Sequence, residues 1–217
     1  MEREWLQMGG DQLELEGIAE AAYCSAGLDP ERPHVARLAR ALLGPEAIRR
    51  GPRPLHGPAA LVRVGEEWRI VLARGLPPLQ AVFAVGHELG HWLLRQHGYD
   101  GDDEERDADY LAAALLAPRS AFLAARRVLR DDLPALAATF GMTETAAALR
   151  LGEVCRVPLA VVAPQTVRVR GPEGWVWPDE ASLRRWARGR PLPGIRKVRL
   201  TDDPRRVVLD AEAVEGA

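Results

Sequence analysis

The fold and the chemistry predicted for this chain both follow from one stretch, Gly86-His87-Glu88-Leu89-Gly90-His91-Trp92. Residues four positions apart lie on nearly the same face of a helix, so the imidazoles of His87 and His91 can bind one metal ion. Glu88 lies near that ion without necessarily binding it, and it can take a proton from a water molecule that zinc activates. The ordinary alternative is that both histidines have hydrogen-bond partners within a core helix and bind no metal. The glutamate between them and the apolar residues around them favour a Zn2+ site.

The helix that carries this stretch is predicted to be long. Pro77-Pro78 is typical of a helix start, and His97-Gly98 is typical of a helix end. Leu89, Trp92 and Leu93 belong to a broad apolar stripe at helical spacing. The pattern therefore predicts one buried helix with both histidines in its second half.

A third metal ligand is expected from the acidic run at residues 102–109, because catalytic zinc takes three protein ligands. Glu105 stands 14 positions after His91, which leaves room for a turn and a returning antiparallel helix capped by Asp102 or Asp103. Glu105 and Asp109 are four residues apart and share a helical face. One of the two carboxylates can bind zinc while the other accepts a hydrogen bond from a ligand histidine. The other members of the run are expected to be solvated residues at a helix start.

The rest of the chain predicts an α+β protein. Helices are expected near 11–27 and 33–43, then a hairpin of 60–64 and 68–73, and after the acidic helix further helices near 119–130, 133–140 and 143–152. Short strands at 159–163, 167–170 and 175–177 and a helix at 180–188 follow. This change from helical patterns to short strand patterns predicts a domain boundary near residue 154, with residues 155–217 as a small basic α/β region.

Composition narrows the class of protein. Of 217 residues, 47% are hydrophobic and 28% are charged, which is typical of a soluble globular protein. No apolar run approaches the ~18 residues of a membrane span, and the acidic N-terminus does not resemble a signal peptide. Cys24 and Cys155 are the two cysteines, and without a signal peptide they indicate a reducing compartment. We therefore expect a cytoplasmic protein.

Charge is unevenly distributed along the chain. Residues 156–217 carry 12 basic and 8 acidic side chains, whereas the whole chain has a formal charge of −2. The basic excess is concentrated in 182–206. A solvated face is the expected interpretation of this segment, and a docking surface for nucleic acid or another acidic partner is the alternative.

Several other polar residues are weaker candidates for the site. Tyr99 and Tyr110 are near enough in sequence to donate a hydrogen bond to an oxyanion, and the sequence does not choose between them. Either Cys24 or Cys155 could block zinc as a thiolate, although the ordinary role of a free cysteine is that of a small buried hydrophobic residue. His97 lies on a different helical face from His91, so we expect it at the surface.

Two motifs resemble the ImmA/IrrE family of zinc metallopeptidases. Members carry A-H-E-L-G-H followed by E-x-E-A-N-x-F-A-A-x-L-L-M-P. The corresponding stretches here are Gly86-His87-Glu88-Leu89-Gly90-His91 and Glu105-Arg106-Asp107-Ala108-Asp109-Tyr110-Leu111-Ala112-Ala113-Ala114-Leu115-Leu116-Ala117-Pro118. A helical pair that is similar to the family's follows at 133–152, so the resemblance covers about residues 55–152. The departures are Gly86 for alanine, Asp107 for glutamate, Asp109 for asparagine and Ala117 for methionine.

The resemblance implies a zincin-like peptidase core over residues 1–154, with an HExxH active-site helix, a small β-hairpin or sheet and the helical pair. It implies zinc held by His87, His91 and Glu105, with Glu88 as the catalytic base. Family members typically cleave a helix-turn-helix repressor of the XRE type, which relieves repression in stress responses or mobile elements. The alternative is a regulatory module that binds zinc and clamps a repressor without cutting it.

Overall fold

A computed structural model describes residues 10–54, 57–99, 103–171, 175–189 and 195–211. Asp102, one of the two predicted helix caps, and Arg190 of the basic segment lie outside these residues. The described helices are α1 Gly10–Ser25, α2 Val35–Leu43, α3 Pro78–Gln96, α4 Glu104–Leu116, α5 Arg119–Leu129, α6 Leu133–Phe140, α7 Glu144–Cys155 and α8 Glu180–Arg188. The described strands are β1 Ile48–Gly51, β2 Ala59–Val64, β3 Glu67–Ala73, β4 Leu159–Val162, β5 Val167–Arg170, β6 Ile195–Arg199 and β7 Val207–Ala211.

The predicted mixture of helices and small sheets is confirmed, including the hairpin of β2 and β3. The strand predicted at 175–177 is wrong, because these residues have no regular structure. Their alternating pattern serves packing instead: Trp177 is buried, and its Nε1 donates a hydrogen bond to the Arg170 carbonyl over 3.1 Å. Strands β1, β6 and β7 were not predicted.

One compact unit comprises residues 10–124 with 140–142. Its sheet has the strand order β1-β3-β2, with β1 parallel and β2 antiparallel to the central strand, so β2 lies at an edge. Helix α3 packs on β2 and β3, and α4 packs along α3. The site helices therefore have the sheet on one side of α3 and α4 on another.

The Tyr23 hydroxyl joins three helices of this unit. It donates to the Leu115 carbonyl of α4 over 2.7 Å and accepts from the backbone N–H of His34, the N-cap of α2, over 3.1 Å. Tyr23 itself belongs to α1 and is fully buried, and this burial raises the pKa of its hydroxyl. The hydroxyl group thus has partners for both its donor and its acceptor functions.

Two glycines of α3 let α4 approach almost to backbone contact. A Cβ atom at Gly86 would stand 3.3 Å from Ala112 Cα, and one at Gly90 would stand 3.1 Å from the Ala108 carbonyl oxygen. The pairing of 86 with 112 and of 90 with 108 shows that the helices are antiparallel. The close approach brings the acidic N-terminus of α4 beside the histidines of α3.

Replacing Gly90 by valine should destabilise the protein by about 1–3 kcal/mol, because the side chain would push α4 away. Gly17 in α1 provides the control, since a Cβ there meets no atom within 4 Å. Gly17→Val should change stability by less than about 0.5 kcal/mol. Urea unfolding of both variants measures the difference. Equal stability of the Gly90 variant and the natural protein would contradict the close packing of α3 and α4.

The second compact unit comprises residues 125–139 and the described part of 143–217. Its sheet is antiparallel throughout, with strand order β5-β4-β7-β6. Helix α8 packs through Leu183 and Ala187 on the face that carries Leu209. Helix α7 packs on β4 and β5, where a Cβ at Gly152 would stand 2.7 Å from Arg170 Cβ.

This grouping places α7 with the strands that follow it, whereas the predicted domain boundary falls near residue 154, inside α7. Packing units and independently folding domains need not coincide. The division into residues 1–154 and 155–217 therefore stays a prediction. Within the described ranges, no helix has the length and apolar character needed to cross a bilayer.

Candidate metal centre

Three side chains of α3 and α4 converge on one point. The Nε2 atoms of His87 and His91 lie 3.1 Å apart, with their rings nearly perpendicular. Each Nε2 atom also lies 3.4 Å from a carboxylate oxygen of Glu105. Among the residues that the structure describes, these three form the group of potential ligands with the spacing of a metal site. All three were predicted from the sequence.

The donor set and its spacing fit a zinc ion. Nitrogen and oxygen ligands bind zinc at about 2.0–2.1 Å in a tetrahedron, which places ligand atoms about 3.3 Å from one another. The separation of the two Nε2 atoms, 3.1 Å, and that of each Nε2 atom from a Glu105 oxygen, 3.4 Å, lie close to this value. Two nitrogen lone pairs and a carboxylate that face each other repel unless a cation lies between them. Three protein ligands also leave a coordination position for water or substrate.

A carboxylate holds the other nitrogen of each ring. His87 Nδ1 lies 2.9 Å from Asp109 Oδ1, and His91 Nδ1 lies 2.9 Å from Glu104 Oε1. A neutral imidazole that donates its N–H from Nδ1 presents a lone pair at Nε2, which is the form that a metal requires. Asp109 was predicted at this position and lies there. Glu104 was not predicted, because it was grouped with the solvated members of the acidic run.

Electrostatics at the centre are dominated by these carboxylates. The hydrogen bond with Asp109 raises the pKa of His87, an effect that burial partly opposes and that the charges of Glu88 and Glu105 support. The hydrogen bond with His91 lowers the pKa of Glu104, and Arg95 contributes in the same direction. A cation is therefore favoured at the imidazoles, and a proton and a metal ion compete for the same nitrogen atoms.

Glu88 points from α3 toward the sheet. Its Oε2 accepts a hydrogen bond of 2.7 Å from the backbone N–H of Leu61 in β2. Alternate N–H groups of an antiparallel edge strand point away from the sheet. The Leu61 N–H is one of these, so the carboxylate of Glu88 lies at the free edge of β2. Glu88 is not among the clustered ligand atoms, as the sequence predicts for a base.

The weaker candidates have other partners. The Tyr110 hydroxyl donates to Glu16 over 2.7 Å, and Tyr99 interacts with the Asp107 carboxylate. Cys24 is an exposed residue of α1. Cys155 interacts with the Arg126 guanidinium group. Neither tyrosine is thereby assigned to the oxyanion, and neither cysteine is grouped with the ligands.

Many of the basic side chains at residues 182–206 pair with carboxylates or backbone carbonyls of the chain itself. Arg184 contacts Glu180 and two backbone carbonyls, and Arg196 pairs with Asp210. Lys197 binds backbone carbonyls, and Arg205 and Arg206 pair with Asp203. Paired guanidinium groups offer less charge to the phosphates on which nucleic-acid affinity depends. This finding favours the predicted solvated face over a nucleic-acid surface.

Comparison with known families decides the classification of the chain. The family model of the IrrE N-terminal-like domain of the M78 peptidases matches residues 49–152. This match covers a little under half of the chain, and over these residues the chain is similar to the M78 peptidases. His87, His91 and Glu105 all lie in the matched residues, and M78 peptidases are metal-dependent. The family predicted from the two sequence motifs is confirmed.

A solved structure of a Mycobacterium tuberculosis transcriptional regulator is similar to this chain, with a TM-score of 0.53 and 18% sequence identity. The match covers 76% of this chain and 56% of the regulator's chain. At this identity the similarity concerns the fold alone, and this chain spans little more than half of the regulator. No curated protein matches the chain.

Proposed function

We propose that this chain is a zinc-dependent endopeptidase. The observation that carries the proposal is the convergence of His87 Nε2, His91 Nε2 and the Glu105 carboxylate at the spacing of zinc ligands. The match of residues 49–152 to a peptidase family model supports it. The exposed position of Glu105, whose side chain is 78% accessible, supports it too, because a polypeptide substrate must reach the centre from solvent.

The proposed reaction assigns the proton transfers to Glu88. A bound zinc ion supplies Lewis acidity, which lowers the pKa of water and polarises a carbonyl group. Glu88 accepts the proton of the attacking water and returns it to the leaving amine. The Leu61 N–H holds Glu88 Oε2, and we assign the proton to Oε1. His87, His91 and Glu105 would hold the ion.

The free edge of β2 gives the substrate a position beside this base. Edge strands bind extended peptides through backbone hydrogen bonds, and side-chain contacts then add specificity. The outward N–H of Leu61 lies within hydrogen-bond reach of Glu88. The Leu61 N–H is occupied by Glu88, so a segment paired with β2 on either side of Leu61 would run past the carboxylate. An extended or locally unfolded segment is the substrate conformation that this geometry favours.

We further propose that the substrate is a helix-turn-helix repressor of the XRE type, cleaved in the cytoplasm to relieve repression in a stress response or a mobile element. The motifs that resemble ImmA/IrrE proteins support this substrate. The fold that the chain shares with a mycobacterial transcriptional regulator is consistent with a regulatory role.

The direct test is incubation of the zinc-loaded protein with a candidate helix-turn-helix repressor of the XRE type, followed by intact-mass spectrometry. We expect two fragments whose masses sum to that of the repressor plus one water molecule. Protein stripped of metal with a chelator is the control and should leave the repressor intact. A repressor that binds tightly but stays uncut at every zinc loading would favour the non-proteolytic module.

Asp109→Ala should lower zinc affinity about 10–100-fold, because His87 would lose the acceptor that fixes its tautomer. Asp109→Asn is the matched variant, since the amide oxygen can still accept the Nδ1–H hydrogen bond and asparagine is the residue in the family motif. Competition with a chromogenic chelator measures both affinities. An alanine variant that binds zinc as tightly as the natural protein would remove Asp109 from the centre.

A further inference from the structure

We propose that Glu104 is a positioning residue that fixes the ring of His91 for metal binding. The inference rests on the proposed zinc centre and adds to it a residue outside the ligand set. It assigns a separate task to each of the adjacent glutamates, because Glu105 binds the ion and Glu104 holds a ligand. Both histidines then have a dedicated carboxylate partner.

The geometry of α4 explains how two neighbouring residues reach opposite sides of one imidazole. Asp103 is the N-cap, and its side chain accepts from the Arg106 N–H over 3.1 Å, which fixes the first helical turn. Successive residues of a helix point about 100° apart. The carboxylate of Glu105 accordingly reaches the Nε2 side of His91, whereas the carboxylate of Glu104 reaches its Nδ1 side.

Arg95 strengthens the placement of Glu104. It lies one turn after His91 on α3, and its Nη2 atom is 3.4 Å from the same Glu104 oxygen that contacts His91 Nδ1. Two donors from α3 therefore meet at Oε1. Because the Glu104 side chain is half exposed, this second contact limits its freedom to leave the imidazole for solvent.

The task of Glu104 follows from the two tautomers of a neutral imidazole. A hydrogen bond from Nδ1–H to a carboxylate favours the tautomer with a free lone pair at Nε2 and keeps the ring from rotating. Without the carboxylate, the ring can take the Nε2–H tautomer, which cannot bind the ion until the proton moves. The expected result is weaker metal binding, with the three ligands still in place.

The test compares Glu104→Ala, Glu104→Gln and Glu180→Ala with the natural protein. Glu180 is the matched control because it also lies in the first turn of a helix and pairs with an arginine, Arg184. The first readout is zinc affinity, which we expect to fall about 10–100-fold in Glu104→Ala. Glu104→Gln should recover part of the loss, since its amide oxygen can accept the same hydrogen bond. Glu180→Ala should bind zinc unchanged.

A second readout uses the metal-free protein. Long-range 1H–15N spectra at alkaline pH distinguish the two tautomers of each histidine ring. We expect the Nδ1–H tautomer of His91 to be more populated in the natural protein and in Glu180→Ala than in Glu104→Ala, where the ring shifts toward the Nε2–H tautomer. His87, which Asp109 holds, should keep its tautomer in all variants and serves as the internal control.

The outcomes separate this inference from the proposed peptidase function. If Glu104→Ala keeps the zinc affinity and the His91 tautomer of the natural protein, Glu104 is not a positioning residue, whether or not the protein cleaves a repressor. Loss of both in Glu104→Ala supports the inference even where no substrate is cut, and only the peptidase function then fails. Absence of zinc binding by the natural protein overturns both.

Discussion

The Glu88→Gln protein should keep its zinc and lose cleavage of the repressor by at least about 10²–10⁴-fold, the usual contribution of positioned proton transfer. Glutamine is nearly isosteric with glutamate but does not accept a proton at neutral pH. Its amide oxygen can still accept the Leu61 N–H, so the contact between α3 and β2 should survive. The measurement is the rate of repressor cleavage beside the zinc content of the same preparation.

Glu67→Gln is a suitable control for this variant. Glu67 lies at the exposed start of β3, opposite Val64 at the end of β2, and its described partner is Arg69. The same chemical change at the exposed start of β3 should leave both the cleavage rate and the zinc content unaltered. Equal cleavage by Glu88→Gln and the natural protein, with zinc retained, would rule out Glu88 as the base.

The His91→Ala protein should purify with little zinc, because two ligands remain where three are needed. The loss of affinity should exceed the ~10–100-fold that is typical for removal of a supporting carboxylate such as Asp109. Elemental analysis of the purified protein measures the metal content directly. Cleavage should disappear together with the zinc.

His97→Ala controls for the loss of an imidazole from the same helix. His97 is the C-cap of α3, and the clustered ligand atoms do not include it. Its alanine variant should bind one zinc ion per chain with unchanged affinity. Metal content that falls equally in both variants, or in neither, would contradict the assignment of His91 as a ligand.

The sequence predicted which side chains come together because these residues follow helical spacing. His87 and His91 are four residues apart, as are Glu105 and Asp109, and a helix converts this spacing into one face. Glu104 was not predicted, because it does not share this four-residue spacing. It is adjacent to Glu105, and its task depends on how closely α4 approaches α3, which the packing of Gly90 against Ala108 determines. Helical periodicity does not report the distance between α3 and α4.

The fold was less predictable where strands are short. Strand β1 consists of Ile48, two arginines and Gly51, so its sequence lacks an apolar alternation, and it is held by parallel pairing with β3. Strand β6 is equally rich in basic residues, because it is an edge strand with Arg196 bound to Asp210 of β7. Both strands depend on tertiary pairing, which a local pattern does not report.

The placement of the ligands has a consequence for the order of folding. Residues 87–109 supply the three proposed ligands and the two carboxylates that hold their imidazoles. The site therefore forms once α3 and α4 close as a helical hairpin. Contacts of such low sequence separation form fast, because little chain entropy is lost on closing a short loop. By contrast, the Tyr23 hydroxyl must find Leu115 across 92 positions. A metal ion could therefore meet all three proposed ligands while α1 is still undocked, and the contact of β2 with Glu88, across 27 positions, orients the base afterwards.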